Sequence, residues 1–336
     1  MKVLQSLRSN LSEVLPDFNQ KVAMGYTGFF GIENKTNALF APLICATQDK
    51  NVDLATSVAI AFAKTPMVMA AEAYSLNQYC KGRFALGLGS QVKAHITRRF
   101  SMPWTDKPAR QMREYINALH AIWDCYEQGG PLNFLGETYK HTLMAQEFVP
   151  YLEGFGRPRI LLGAVGPRMT ELAVDLASGL ITHSFMTEKS FREVNLKTIE
   201  ARLQKNNKPR SEFEIHLPLL IATGSDEDEY KKNIELRRQR IGFYSSTPAY
   251  RSVLDAHGWG EVQAETQKLA KAGRWNEMGL PITDAMLDTF AVVGEPKEIA
   301  PKIKQRFGDF IDTIQSSLEL KNEETQYEII KAIEEI

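Results

Sequence analysis

Residues 81 to 104, KGRFALGLGSQVKAHITRRFSMPW, combine backbone freedom and positive charge in one short stretch. Phe84-Ala85-Leu86 reads as a short buried strand that runs into Gly87-Leu88-Gly89-Ser90, with Lys93, His95, Arg98 and Arg99 just beyond. Glycine lets backbone approach a ligand closely at little steric cost. A strand that ends in glycines and then meets cations is a candidate cradle for a phosphate. The plain alternative is a strand-to-loop turn beside a solvated basic face. A second turn of the same kind, Gly163-Ala164-Val165-Gly166-Pro167, is followed by Arg168 and Met169. Two further groups close strand patterns. Glu33 supplies a carboxylate, and His183 an imidazole able to hold or give a proton near neutral pH. Their structural alternatives are an ion pair of Glu33 with Lys35 or Arg99, and a strand-end histidine bonded to a backbone carbonyl.

Positioning such groups requires a scaffold, and the chain's rhythm suggests one. Short apolar strands alternate with longer amphipathic segments, which predicts an α/β fold with a parallel sheet. Strand patterns fall at 3–4, 28–33, 52–60, 84–86, 159–162, 180–183, 214–221 and 310–314. Eight of them in one chain predict a (β/α)8 TIM barrel, a single domain over 1–336 with a helical insertion at 225–289 after strand seven. A helix is expected from Arg110 to Tyr126, where Met112, Ile116, Leu119 and Trp123 recur at helical spacing as core. In a barrel the carboxyl ends of the strands form the active face, so Glu33, Ser57, Val58, the 87–93 turn, the 163–168 turn and His183 would share one mouth. Tyr244 and Tyr250, in the insertion, are placed either over that mouth or against Trp259.

Composition narrows the function. The chain has 336 residues, 43% hydrophobic and 24% charged, with a formal net charge of -1. Near-neutral balance and a single local basic cluster argue against nucleic acid or an acidic membrane surface as partner. Cys45, Cys80 and Cys125 are widely spaced and form no metal-ligand pattern. Few His, Asp or Glu converge on the expected mouth, so metal-assisted hydrolysis is not expected. No charged-then-apolar leader opens the chain and no run approaches 18 apolar residues, and a cytoplasmic protein is expected.

The stretch Lys81-Gly-Arg-Phe-Ala-Leu-Gly-Leu-Gly resembles the strand-four signature of the bacterial-luciferase-like barrel enzymes. Residues 91–104, 164–169, 243–250 and 257–259 resemble one branch of that family, oxidoreductases that use the deazaflavin coenzyme F420. The resemblance runs from about residue 25 to 315 in order. It implies a non-proline cis peptide at Ser57-Val58 behind an isoalloxazine-type ring. It also implies cofactor contacts from Glu33, Leu88, Gly89, Lys93, Val165, Gly166, Arg168 and Met169, with catalytic roles for Glu33 and for His183 on the substrate side. Relatives place a His-Asp pair, a proton-donating His and a Glu where this chain has Thr36-Asn37, Asn34 and Ser90. Neither Asn nor Ser is a useful acid near neutral pH. Three functions follow: hydride transfer between F420 and a small organic substrate; an FMN-dependent monooxygenase fed by a flavin reductase; or a catalytically degenerate flavin-binding barrel. A homodimer is expected in each case.

Overall fold

The structure is a computed structural model that describes residues 1–316 and 318–336. Its centre is a closed ring of eight parallel strands: β1 (Lys2–Ser6), β2 (Gly28–Gly31), β3 (Asp53–Thr56), β4 (Phe84–Gly89), β5 (Arg159–Gly163), β6 (Gly179–Ile181), β7 (Glu214–Pro218) and β8 (Thr313–Ser316). Neighbours pair in sequence order, from Leu4 opposite Gly28 round to His216 opposite Thr313, and Lys2 opposite Thr313 closes the ring. The expected (β/α)8 barrel is the observed fold.

Alternation along the strands sorts side chains into two layers. Leu4, Phe30, Ala55, Ala85, Leu161 and Ile181 fill the barrel interior as one small cluster. Their sequence neighbours, such as Val3, Phe29, Leu54, Leu86 and Leu162, pack outward against the helices in the main core. The helix Pro108–Gln128 buries Met112, Ile116, Leu119 and Trp123 completely, as its spacing predicts. Each such side chain contributes about 1.5–3 kcal/mol of burial. The amino end of the barrel is plugged by polar pairs. Lys2 meets Asp53 at 2.6 Å, Arg159 meets Glu214, and His216 Nε2 lies 2.9 Å from Glu214.

Several element boundaries differ from the sequence reading. The third strand is interrupted at the Ser57–Val58 peptide, which is cis, before Ala59–Ile60 resumes pairing with β4. Strand β4 continues through Gly89, so its glycines belong to the barrel wall and not to a loop. The seventh strand stops at Pro218; Leu220–Ala222 instead pairs with Ala291–Val293 in a separate parallel sheet, which the sequence reading missed. The eighth strand begins at Thr313, because Phe310 turns away to stack on Phe191 at 5.2 Å. Helical residues at 188–205, with a π-wound stretch Phe191–Leu196, were not anticipated. Between Glu227 and Phe290 lie further helices, packed with Phe185 and Leu220 around a second apolar cluster.

Candidate active site

The carboxyl ends of β2, β3 and β8 meet at the cis peptide. Ser57 N–H donates to the Gly31 carbonyl at 2.8 Å, and Ser57 Oγ donates to Gln315 Oε1 on β8 at 2.6 Å. That bond leaves Gln315 Nε2 buried without a partner among the described residues. A buried amide donor without a partner is costly, and it points to an acceptor supplied from outside the chain. Ser57 and Val58 are only half-buried, whereas Ala59 and Ile60 are buried completely. Past the cis bond, Ile60 N–H donates to Glu33 Oε2 at 2.6 Å. Burial pushes the Glu33 carboxyl above the usual range, opposed by the Ile60 bond and by Lys64. Arg99 instead donates to the Asn34 carbonyl at 2.6 Å, and among the described residues Glu33 forms no ion pair with Lys35 or Arg99.

Close approach explains the glycines of β4, but the approaching group is protein. A Cβ on Gly87 would lie 1.9 Å from the Thr56 carbonyl oxygen, and one on Gly89 would lie 2.5 Å from Val58 Cγ2. These positions therefore make room for the chain on either side of the cis peptide, not for a phosphate. Leu88 is fully buried in the outer core, so its side chain is turned away from the mouth.

Charge gathers on the next sector. A cavity of about 600 Å³ lies between the starts of two helices, Pro108–Gln128 and Pro167–Leu176. Lys107, Arg110 and Arg168 line it, with Asp106, Gly166 and Met169. Both helices present free N–H groups and the positive end of their dipoles there, a setting that favours anions. Arg110 pairs with Glu137, while Arg168 is exposed and has no carboxylate within ion-pair distance among the described residues. Lys93 reaches this rim only through Asp106, at 3.4 Å. His95 and Arg98 stay exposed on the short helix Lys93–Arg98.

The Val165–Met169 turn is held from behind. Asn195 Nδ2 donates to the Val165 carbonyl at 3.0 Å and to Thr170 Oγ1 at 2.9 Å, and Thr170 Oγ1 donates to the Gly166 carbonyl. Asn195 belongs to the π-wound stretch, a device often found at functional sites. Nothing in its sequence surroundings singles it out. Gln315 lay one residue beyond the expected eighth strand, and Lys107 just outside the basic run.

At the end of β6, His183 is enclosed by aromatic rings, with Tyr250 at 4.5 Å and Tyr244 at 4.7 Å between centroids. Its Nδ1 accepts the Phe185 N–H at 3.0 Å, and its Nε2 lies 3.0 Å from Tyr250 Oη. Because Nδ1 is an acceptor, the neutral ring carries its proton on Nε2 and donates to the tyrosine oxygen. Burial pulls the imidazole down to about 4 and pushes the Tyr250 phenol up to about 12. His183 is therefore a neutral donor at physiological pH, and Tyr250 keeps its own O–H free to donate elsewhere. The structural alternative, a bond to a backbone carbonyl, is not formed among the described residues; the backbone partner is the Phe185 N–H. Of the sequence candidates, Glu33, Ser57 and Val58 come together in one sector, and Val165, Gly166, Arg168 and Met169 form another. His183 stands in a third, with Tyr244 and Tyr250 over it.

No group of three or more metal-ligating side chains occurs among the described residues, and no described helix is long and apolar enough to cross a membrane. An uncharacterized Mycobacterium tuberculosis protein, Rv1360, is 39% identical over 290 residues, spanning 86% of this chain and 85% of its own. The 5,10-methylenetetrahydromethanopterin reductase of Archaeoglobus fulgidus is 27% identical over 286 residues, covering 83% of this chain and 81% of that one. In fold, the coenzyme F420 dependent tetrahydromethanopterin reductase from Methanopyrus kandleri superposes with a TM-score of 0.77 at 18% identity, over 98% of this chain and 96% of the other. Residues 23–313 match the family model for luciferase-like monooxygenases, and the protein accordingly belongs to that family of oxidoreductases.

Proposed function

We propose that this protein transfers a hydride between coenzyme F420 and a small organic substrate. The observation that carries this reading is the cavity between the two helix starts, where Lys107, Arg110 and Arg168 converge. Arg168 and Lys107, with two helix dipoles beside them, suit an anionic tail, while Arg110 is already held by Glu137. The residues present fit the whole group. Half-buried Ser57 and Val58 offer a ledge for a flat ring, the unpartnered Gln315 Nε2 offers a donor to a ring oxygen, and Val165, Gly166, Arg168 and Met169 offer a grip on the tail. Gly89 serves the ledge indirectly, by giving Val58 its space, and Lys93 stands at the rim. Leu88 contributes backbone alone.

When bound, the deazaflavin supplies or accepts the hydride. The chain's residues supply the rest. Glu33 stays fixed by Ile60 N–H and sets the charge beside the ring. His183 orients Tyr250 by donating to Oη, so that the phenol hydrogen faces a substrate oxygen and can follow the hydride as a proton. Asn34 and Ser90 need not act as acids if Tyr250 does.

A second reading, reduced FMN with dioxygen and a partner reductase, is favoured by the match to the monooxygenase family model. A deazaflavin lacks the ring nitrogen through which reduced flavin reacts readily with oxygen, so the two readings separate by spectrum and by gas. Purified protein is titrated with F420 and with reduced FMN while the visible spectrum and oxygen consumption are followed. Tight F420 binding without oxygen uptake supports the first reading. Oxygen uptake with FMN replaces it with the second, and tight binding of either cofactor with no turnover on an aldehyde, alcohol and enone panel would mean a degenerate barrel.

A further inference from the structure

The helix Glu227–Ser245 treats its cations in two different ways. Two of them are paired with carboxylates: Lys231 with Glu227 at 3.1 Å, and Arg238 with Asp284; exposed Lys232 has no ion pair among the described residues. Along another face, Arg237, Arg240 and Tyr244 follow one another at i, i+3 and i+7, and this face leads to the aromatic ring cluster around His183. Arg237 is half-buried and anchored by one bond, Nε to the Ile221 carbonyl at 2.7 Å. Arg240 sits with its guanidinium 5.9 Å from the Tyr244 ring centroid. Among the described residues, neither has a carboxylate within 4.0 Å. The acid whose charge acts on Arg237, Glu319, is already engaged by Arg8 at 3.3 Å and Lys21 at 3.5 Å. The two guanidiniums repel one another, and together with burial this pulls Arg237 below its ordinary value.

Holding a part-buried cation beside a like charge without a counter-ion is unfavourable. Unlike exposed Lys232, whose charge is solvated, Arg237 is half-buried and held against the Ile221 carbonyl. We propose that Arg237 and Arg240 are the receptor for an oxyanion on the substrate, a carboxylate or a phosphate monoester, whose uncharged end extends past Tyr244 toward His183 and Tyr250. The substrate class is then a small organic acid. Planar guanidiniums suit both oxyanions through paired N–H donors, and Tyr244 bridges this charged end to the aromatic one. The inference rests on the reading of the barrel mouth as a redox site, and it concerns a different sector from the Arg168 cavity.

The test is calorimetric titration of succinate and of inorganic phosphate into purified protein, into Arg168→Met, and into the double variant R237M/R240M. Binding is expected in the wild type and in Arg168→Met; R237M/R240M should bind succinate about tenfold or more weakly and keep only the phosphate site that Arg168→Met removes. The lysine pair R237K/R240K should recover most of the lost binding, and whichever anion binds more tightly to Arg168→Met identifies the acid. Should R237M/R240M fold poorly by circular dichroism, the exposed Arg240→Met alone must still weaken binding. Equal affinity in wild type and arginine variants, loss of succinate binding that follows Arg168→Met instead, or no anion binding by the wild type would overturn the proposal. Failure of the cofactor reading would appear separately, as absent F420 binding with the anion titration unaffected.

Discussion

Acidification should expose the protonation state of His183. Burial in the aromatic enclosure lowers its pKa from 6.5 to about 4, so the ring is neutral, with Nδ1 accepting a backbone N–H and Nε2 facing Tyr250. In the unfolded chain the ring regains its ordinary value and binds the proton more readily than the folded state does. Protonation therefore favours unfolding: the penalty is absent above the unfolded value, grows as pH falls from 6.5 toward 4, and levels off below. With those two values, linkage gives a loss of about 2 kcal/mol between pH 7.5 and pH 5 from this one group. The assay is urea unfolding followed by tryptophan fluorescence at both pH values, for wild type and for His183→Gln. Other histidines, such as His141 and His257, are pulled down as well, and their share cancels in the comparison. The wild type should lose about 2 kcal/mol more than His183→Gln over this interval. Equal losses would mean that His183 is not held neutral, and the tautomer argument that hands the proton to Tyr250 would fall with it.

Other perturbations separate the remaining roles. Tyr250→Phe should cut turnover while leaving F420 affinity unchanged in a fluorescence titration; unchanged turnover would place the acid elsewhere. Arg168→Met should weaken F420 binding about tenfold without moving the melting temperature, because the exposed side chain has no ion-pair partner among the described residues. Gly89→Ala should destabilise by about 1–3 kcal/mol and weaken cofactor binding together, since the new Cβ at 2.5 Å displaces branched Val58 from the ledge. Asn195→Ala, which frees the Val165 carbonyl and Thr170, should cost about 1–3 kcal/mol in thermal unfolding.

Much of this architecture was legible in sequence because barrel strands buried on both faces are short apolar runs spaced by amphipathic helices. The register of those strands was less so. A run such as 52–60 looks continuous, since composition says nothing about a cis bond in its middle. The glycines at 87 and 89 invited a ligand, yet their missing side chains accommodate Thr56 and Val58. Glycine marks a close approach without naming what approaches. The site was legible where one segment holds it, as at 163–169. It was hidden where distant segments converge: Gln315 meets Ser57 across 258 positions, and Asn195 reaches Val165 from an unpredicted helix. The likeness to the luciferase-like family located Ser57–Val58, which no propensity could have done.

Hydride transfer by this barrel requires a flat ring seated on Ser57 and Val58 with its anionic tail running to Arg168. A crystal structure of the protein soaked with F420 tests this directly. It should place the ring against Val58 within hydrogen-bond reach of Gln315 Nε2, and the tail between Lys107, Arg110 and Gly166. Density for the coenzyme in any other cleft, or an empty ledge at a saturating concentration, would contradict it.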